Sequence, residues 1–497
     1  MKRFLALFLT VLLLLALAFS SCDNGGEGSS SSSSESTSET SSSEESSSSL
    51  DEEKERFILK TEIIGGCLWI TYEDAPDSPV NAGRVDEYEG LFDFYILDDG
   101  TYAVALGKRA SMLTEIEIPS THFGKAVTVI MEDAFYSNTK IKKITIPQSI
   151  TQIGRRAFVG CLELESIVVD ENSSSYKSLD GVLFSKSGKT LVAYPPAKAG
   201  ESYEIPSGVE WIGENAFDRC RSLKSVSIPD GVKKIGNGAF YYCSSLESIV
   251  IPNSVEKIGE RAFYDCTSLK SATLSESLSV IEKSAFLNCA SLESIVIPSG
   301  VTSIGDSAFS YCTSLASLTI PEGVKIIGNG AFINCSAIKS IKIPNTVAVI
   351  GDSAFYSCIS LESIVIPNGV TAIENSTFKS CTKLKSVTIP DSVKTIDYFA
   401  FDGCVSLKRI ELSSSLESIG SKAFRDCISL EKILLPNSVA EIENYAFEKC
   451  TALTIYCEVA EWPSGWNLLW NSSNRPVEWG HIHSFDDGEC VCGEKEK

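Results

Sequence analysis

One period constrains this chain more than anything else in it. Phenylalanines stand at 217, 240, 263, 286, 309, 332, 355, 378, 401, 424 and 447, and every step is 23 residues. Phe135 and Phe158 keep the same step, and a longer spacer then separates Phe158 from Phe217. A fixed period of this size means one small supersecondary unit copied along the chain. Such a unit cannot bury its apolar face alone and must stack on its neighbours.

The unit is read from one copy, Leu246 to Ser268. Leu246, Ile249 and Ile251 end in alternation and β-branching, then stop at Pro252, which cannot donate to a continuing ladder; this predicts a short strand. Val255 and Ile258 form a further apolar pair. Ala262, Phe263 and Cys266 stand at i, i+1 and i+4, so Ala–Cys and Phe–Cys are four and three apart, which predicts a single helical turn with one buried face. Twenty-three residues cannot hold two helices but do hold a strand and a compact return. Stacked, such coils form a parallel ladder with ~4.8 Å between strands.

These residues resemble the BspA-like leucine-rich repeats of bacterial surface proteins, over about residues 95 to 480. The general leucine-rich pattern places Asn shortly after the strand. Here Ser254, Gly300, Gly323 or Thr346 stands near that place, a departure that itself resembles the BspA-like subclass. The resemblance implies an α/β repeat solenoid, a leucine-rich-repeat array of 23-residue coils (short parallel strands plus a helical turn) closed by N- and C-terminal caps. It also implies adhesion to host matrix proteins or to other bacteria.

Residues 1–21 begin with Lys2 and Arg3, run apolar from Phe4 to Phe19, and end in Ser20-Ser21 before Cys22. That is the pattern of a secretory signal, with a core short of the ~20 residues of a spanning helix. It resembles a bacterial lipoprotein signal, which implies a lipidated Cys22 as the membrane anchor; simple secretion and an uncleaved anchor are the alternatives. Residues 22–55 are Ser-rich, broken by Glu35, Glu39, Glu44 and Glu45, and have too little apolar surface to fold, so they read as a disordered tether or a passive leftover. Residues 56–112 lack the repeat and carry strand patterns, as expected of a β-rich N-terminal cap or of a separate ligand-binding domain.

The solenoid is assigned to 113–457. Its insert at 170–204 is read as a β-hairpin around Lys186-Ser187-Gly188-Lys189, either a structural spacer or a partner-contacting finger. Residues 458–480 hold Trp462, Trp466, Trp470 and Trp479, placed to cover the last coil as a C-terminal cap or to stack on a sugar. A His/Cys tail, 481–497, follows.

Chemistry is sparse. The net charge of −22 argues against nucleic acid. His122 is the sole histidine within the repeat body, leaving almost no material for a nucleophile–histidine arrangement, and no phosphate-binding or dinucleotide fingerprint is present. A non-catalytic protein is expected. Twelve of the 17 cysteines recur three residues after a Phe, at Cys161 and at Cys220 through Cys450. Stacked equivalents would lie ~4.8 Å apart, too far for a bridge with Cβ atoms at ~3.8 Å, so they read as a ladder of buried thiols. His481, His483, Cys490 and Cys492 offer four ligands suited to tetrahedral zinc, although Cys-x-Cys is tighter than the usual Cys-x2-Cys. A Cys490–Cys492 disulfide and a disordered tail are the competing readings.

The remaining information lies on the strand faces. Lys224, Glu247, Lys270 and Glu293 begin a column of mostly alternating charge, expected to pair across neighbouring strands. Beside it run Ser248, Ser271, Ser294, Ser317 and Val250, Thr273, Val296, Thr319, an extended and weakly charged outward strip. Such a strip suits a protein or glycan surface, its contacts multiplied by repetition. The expected partners are proteins or glycans on host or neighbouring cells, bound by a monomeric, exported lipoprotein at the cell surface or outer membrane. A periplasm-facing envelope scaffold is the alternative.

Overall fold

The structure, a computed structural model, describes residues 58–64, 67–72, 75–84, 88–483, 485–486 and 489–492. The signal segment, Cys22 and the Ser-rich tether lie outside the described residues. The chain divides into two units at Phe92/Asp93. In the first, strands Ile58–Ile64, Cys67–Tyr72 and Ala75–Arg84 form an antiparallel sheet in chain order. That boundary falls inside the segment read from sequence as one cap. Tyr102–Leu106 belongs to the second unit and pairs in parallel with Lys125–Ile130 of the first coil.

The second unit is a solenoid of 23-residue coils. Most regular coils contribute a three-residue strand such as Ser248–Val250, a tight turn closed by Val255 N–H donating to Pro252 C=O, and a two-residue strand such as Lys257–Ile258. Both strands enter parallel ladders in which residue i faces residue i+23, as Ser248 faces Ser271 and Lys234 faces Lys257. The first ladder runs through six strands from Ser202–Glu204 to Ser317–Thr319.

The third part of the coil departs from the sequence expectation. Among the described residues the only helix is a 3-10 turn at Lys108–Met112, and the Ala-Phe-x-x-Cys segment contains no α-helical turn. In every regular coil the residue two before the phenylalanine and the residue two after it take positive φ, for example Arg261 (55°) and Asp265 (58°) around Phe263. Two left-handed residues in five forbid an L-residue helix. The chain makes tandem tight turns instead, with a positive φ at the third position as a type II turn requires. Ala262 N–H donates to Gly259 C=O at 3.3 Å and Cys266 N–H to Phe263 C=O at 3.4 Å. The intervening amides point along the stack: Arg261, Phe263 and Asp265 donate to Lys283, Ala285 and Leu287 of the next coil at 3.0, 2.8 and 2.8 Å. The turns therefore form a third ladder, and the one-sided burial that imitates a helix comes from this alternation.

The glycine after each inward isoleucine has an ordinary φ, as its replacement by Glu282, Glu374, Asp397 or Glu443 implies. It is nevertheless tightly placed, since a Cβ on Gly259 would lie 2.5 Å from the Asn237 amide nitrogen. Near the place of the family's asparagine, hydroxyls make the inter-coil bond: Ser254 Oγ donates to Val232 C=O at 2.9 Å and Thr346 Oγ1 to Val324 C=O at 2.8 Å.

The core is a column of identical layers. Leu246, Ile249, Ile251, Val255, Ile258, Ala262, Phe263 and Cys266 are all buried, and their equivalents in other coils join them in one cluster. From Phe217 to Phe447 the rings stack with centroids 4.9–5.7 Å apart and planes within 4–13° of parallel. That offset stacking is worth ~0.5–1.5 kcal/mol per pair beyond the area buried. The repeat cysteines, Cys161 and Cys220 through Cys450, are free thiols, and each donates to the aromatic residue's carbonyl in the preceding coil, as Cys266 Sγ does to Phe240 O at 3.2 Å. Burial pushes the Cys312 and Cys358 thiols up to about 12.

Candidate functional site

The three-residue strands present a central side chain to the core and the two flanking ones to solvent. Ile249 and Ile295 are buried, while Ser248, Val250, Ser271, Thr273, Ser294, Val296, Ser317 and Thr319 are exposed. Parallel pairing aligns Ser248, Ser271, Ser294 and Ser317 into one column. Val250 faces Thr273 and Val296 faces Thr319 in the second. Val250, Val296 and Val365 keep 63, 73 and 61% of their surface in water, unusual for β-branched side chains on an ordered strand. The charged column beside them pairs as expected, with Lys224–Glu201 at 2.8 Å, Lys270–Glu247 at 3.5 Å and Lys385–Glu362 at 2.8 Å. These pairs are half exposed, so solvent screening leaves them little weight in stability and more in fixing register.

The strip changes character toward its C-terminal end. The serine column continues through Ser340, Ser363 and Ser386, then becomes Arg409 and Lys432, while the Val/Thr column reaches Glu411 and Leu434. These residues border a cavity of about 390 Å³, with Lys408, Glu431 and Glu458 around it and Cys492 of the tail on its wall.

The tail brings together the four residues that its sequence singles out. The ligand atoms of His481, His483, Cys490 and Cys492 lie within 4.8 Å of one another. His481 Nε2 is 3.2 Å from Cys490 Sγ, and His483 Nδ1 is 3.6 Å from Cys492 Sγ. Both thiols are buried, beside Tyr456 and against the partly buried Leu434 of the strand face.

The layered core and its repeated turns agree with a known family. A model described as the BspA type leucine rich repeat region matches in six copies, over residues 109–191, 197–316, 302–411 and 371–458. The chain belongs to the BspA-type leucine-rich repeat family. Among solved structures it is similar to a leucine-rich repeat protein from Bacteroides ovatus, 29% identical with a TM-score of 0.51, over 79% of this chain and 91% of that one. It is also similar to a leucine rich cell surface protein from Faecalibacterium prausnitzii, 28% identical with a TM-score of 0.44, over 80% of this chain and 98% of that one. No curated protein matches the chain.

Three features of this BspA-type array escape a reading by phenylalanine alone. Tyr194 stands one full period before Phe217, stacks on it at 5.1 Å and donates its amide to Ala216 C=O, as Phe217 does to Ala239 C=O one coil on. The long spacer therefore holds one further coil and a short insertion. Tyr176–Leu179, Val182–Ser185 and Thr190–Ala193 make an antiparallel meander whose Val182, Phe184 and Leu191 enter the common core. The predicted hairpin around Ser187-Gly188 is present, and its inward residues are committed to packing. At the other end, Trp470 stands one period after Phe447 and meets it edge-on at 6.0 Å, with Trp466 donating its indole N–H to Val439 C=O. Counting by aromatic residue at the period, not by Phe, finds both Tyr194 and Trp470. Charge breaking the Ser column at Arg409 and Lys432 was equally available in the sequence.

Proposed function

We propose that the protein is a non-catalytic, cell-surface binding protein, an adhesin that engages proteins or glycans on host or neighbouring cells through the strand-face strip. The observation that carries this reading is the pair of exposed, in-register columns, Ser248 to Ser317 and Val250 to Thr319. Eight serines recur at one column position from Ser225 to Ser386, so a ligand meets the same small polar and apolar groups coil after coil. Weak contacts multiplied along such a surface give useful avidity. Lipidation at Cys22 and a Ser-rich tether would hold the array clear of a bilayer, and residues 458–480 would cover the last coil as its cap.

The test is an array of matrix proteins and cell-surface glycans probed with the wild-type repeat protein and with Val250→Asp/Val296→Asp/Val365→Asp. These substitutions lie on exposed positions and leave the core untouched. Loss of a wild-type interaction in the triple variant, with unchanged thermal unfolding, supports the strip. An interaction indifferent to all three removes it. Protease shaving of intact cells decides against the envelope-scaffold alternative if the array is cleaved from outside, and for it if cleavage needs an opened envelope.

A further inference from the structure

We propose that His481, His483, Cys490 and Cys492 bind one zinc ion, which fixes the C-terminal tail against the end of the strand-face strip. The four residues lie beyond the stretch matched by the repeat family, so the site is separate from what makes this chain a repeat protein.

The backbone explains why the tight Cys-x-Cys spacing serves. In an extended segment alternate residues share a face, and burial alternates in the same way at both ligand pairs, although Val491 and Cys492 lie in a turn. His481 and His483 turn inward while Ile482 between them is 86% exposed, and Cys490 and Cys492 are buried while Val491 between them is exposed. Each pair thus presents two ligands to one side. With Zn–S ≈ 2.3 Å and Zn–N ≈ 2.0–2.1 Å, a tetrahedron has edges of about 3.3–3.8 Å. The His483–Cys492 approach of 3.6 Å falls among those edges, and the His481–Cys490 approach of 3.2 Å is slightly shorter than them. Two imidazoles and two thiols also form a ligand set of the softness and geometry that select zinc.

The neighbouring shell is built for the same purpose. His483 Nε2 lies 3.4 Å from Glu458 Oε1, so its N–H donates to the carboxylate and Nδ1 faces the thiols. A carboxylate behind a ligating histidine fixes its tautomer and orientation. His481 is held by its own amide, which donates to Cys457 C=O at 2.9 Å, and its ring packs edge-on against Tyr456 at 5.0 Å. The hairpin that carries the cysteines has only two residues in each strand, Phe485–Asp486 and Glu489–Cys490. Such a hairpin is too small to be stable alone. Metal ligation supplies what a short segment cannot obtain from its own core. Because Cys492 and Glu458 border the 390 Å³ cavity beside Arg409 and Lys432, the ion would also hold one wall of that cavity in place.

The full mature chain, isolated with added zinc and passed through a weak chelator, is expected to retain one zinc per molecule by elemental analysis. Replacing zinc by cobalt(II) should produce thiolate-to-metal charge-transfer bands of a tetrahedral centre. Cys490→Ser/His483→Ala should lose both signals while the far-ultraviolet spectrum of the repeats is unchanged, and a strong chelator should open the wild-type tail to proteolysis. Reduced wild-type protein without zinc or the cobalt bands overturns the proposal. So does zinc retained by the double variant, or a Cys490–Cys492 disulfide in protein isolated from its own cells.

Discussion

Phe332 is flanked by Phe309 at 5.7 Å and Phe355 at 5.4 Å and is fully buried. Its truncation removes a ring from the middle of a stack that has no other material to close the gap. Phe332→Ala should cost about 3–5 kcal/mol in denaturant unfolding. A loss below about 1 kcal/mol, less than such a cavity costs, would mean that the coils slide together to fill it. Asp218 is one of the few buried polar residues beside this column, with Ser310 and Asp402 at the same place in their coils. Its carboxylate accepts the Gly160 amide at 2.9 Å across the irregular coil of Tyr194 and lies 3.2 Å from the Arg219 guanidinium. Burial raises its pKa above 3.8, and Arg219 and the Gly160 amide only partly oppose this. A raised folded-state value stabilises the fold below the unfolded pKa, and that contribution is lost as pH rises through the folded value. The advantage of wild type over Asp218→Asn should therefore shrink as pH rises above about 4, the ordinary carboxylate value. Denaturant melts at rising pH test the sign, and an advantage that widens with pH would contradict it.

At the scale of the element, the turn ladder is where sequence and structure part. Asn334 holds a φ of 56° two residues after Phe332. Asn334→Val should destabilise by ~1–2 kcal/mol, the cost of forcing a β-branched residue left-handed. Asn334→Gly should be close to neutral, and equal melting of the two variants would refute the role given to the backbone. The strands, the inward apolar positions, the buried thiols and the paired charges were all legible, because a fixed short period and alternation within the strand leave few other arrangements. The tandem tight turns were not, because Ala-Phe-x-x-Cys buries the same three side chains there as it would in the helical turn that the spacing predicts. The distinguishing sign is weak: the left-handed places hold Asn, Asp, Ser and Gly in many coils but Arg261, Tyr311 and Phe399 in others. For the candidate sites, the strip and the four tail ligands could be named from sequence. The cavity could not, since it depends on the tail folding back to within reach of Arg409 and Lys432.

For the whole array, stability is close to a sum over coils and their interfaces, with no long-range pairing to protect. Removing residues 287–309 would join Phe286 directly to Ser310, one full period on, and each new neighbour would be of the kind it replaced. The shortened protein should fold, with a cooperative melt and the tail properties of the parent. A deletion at the same place that stops one residue short, with Leu287 or Phe309 retained, leaves one coil of 24 residues and should melt well below the in-phase deletion. The extra residue must be absorbed at that one junction, where it breaks the i to i+23 pairing, and comparable melts for the two deletions would contradict this. The i to i+23 register therefore has a genetic meaning. Similar coding blocks of one period allow unequal recombination, and an exchange in phase is expected to yield another foldable chain with a longer or shorter face. A lineage carrying this gene can adjust the reach of its product without inventing a single new contact.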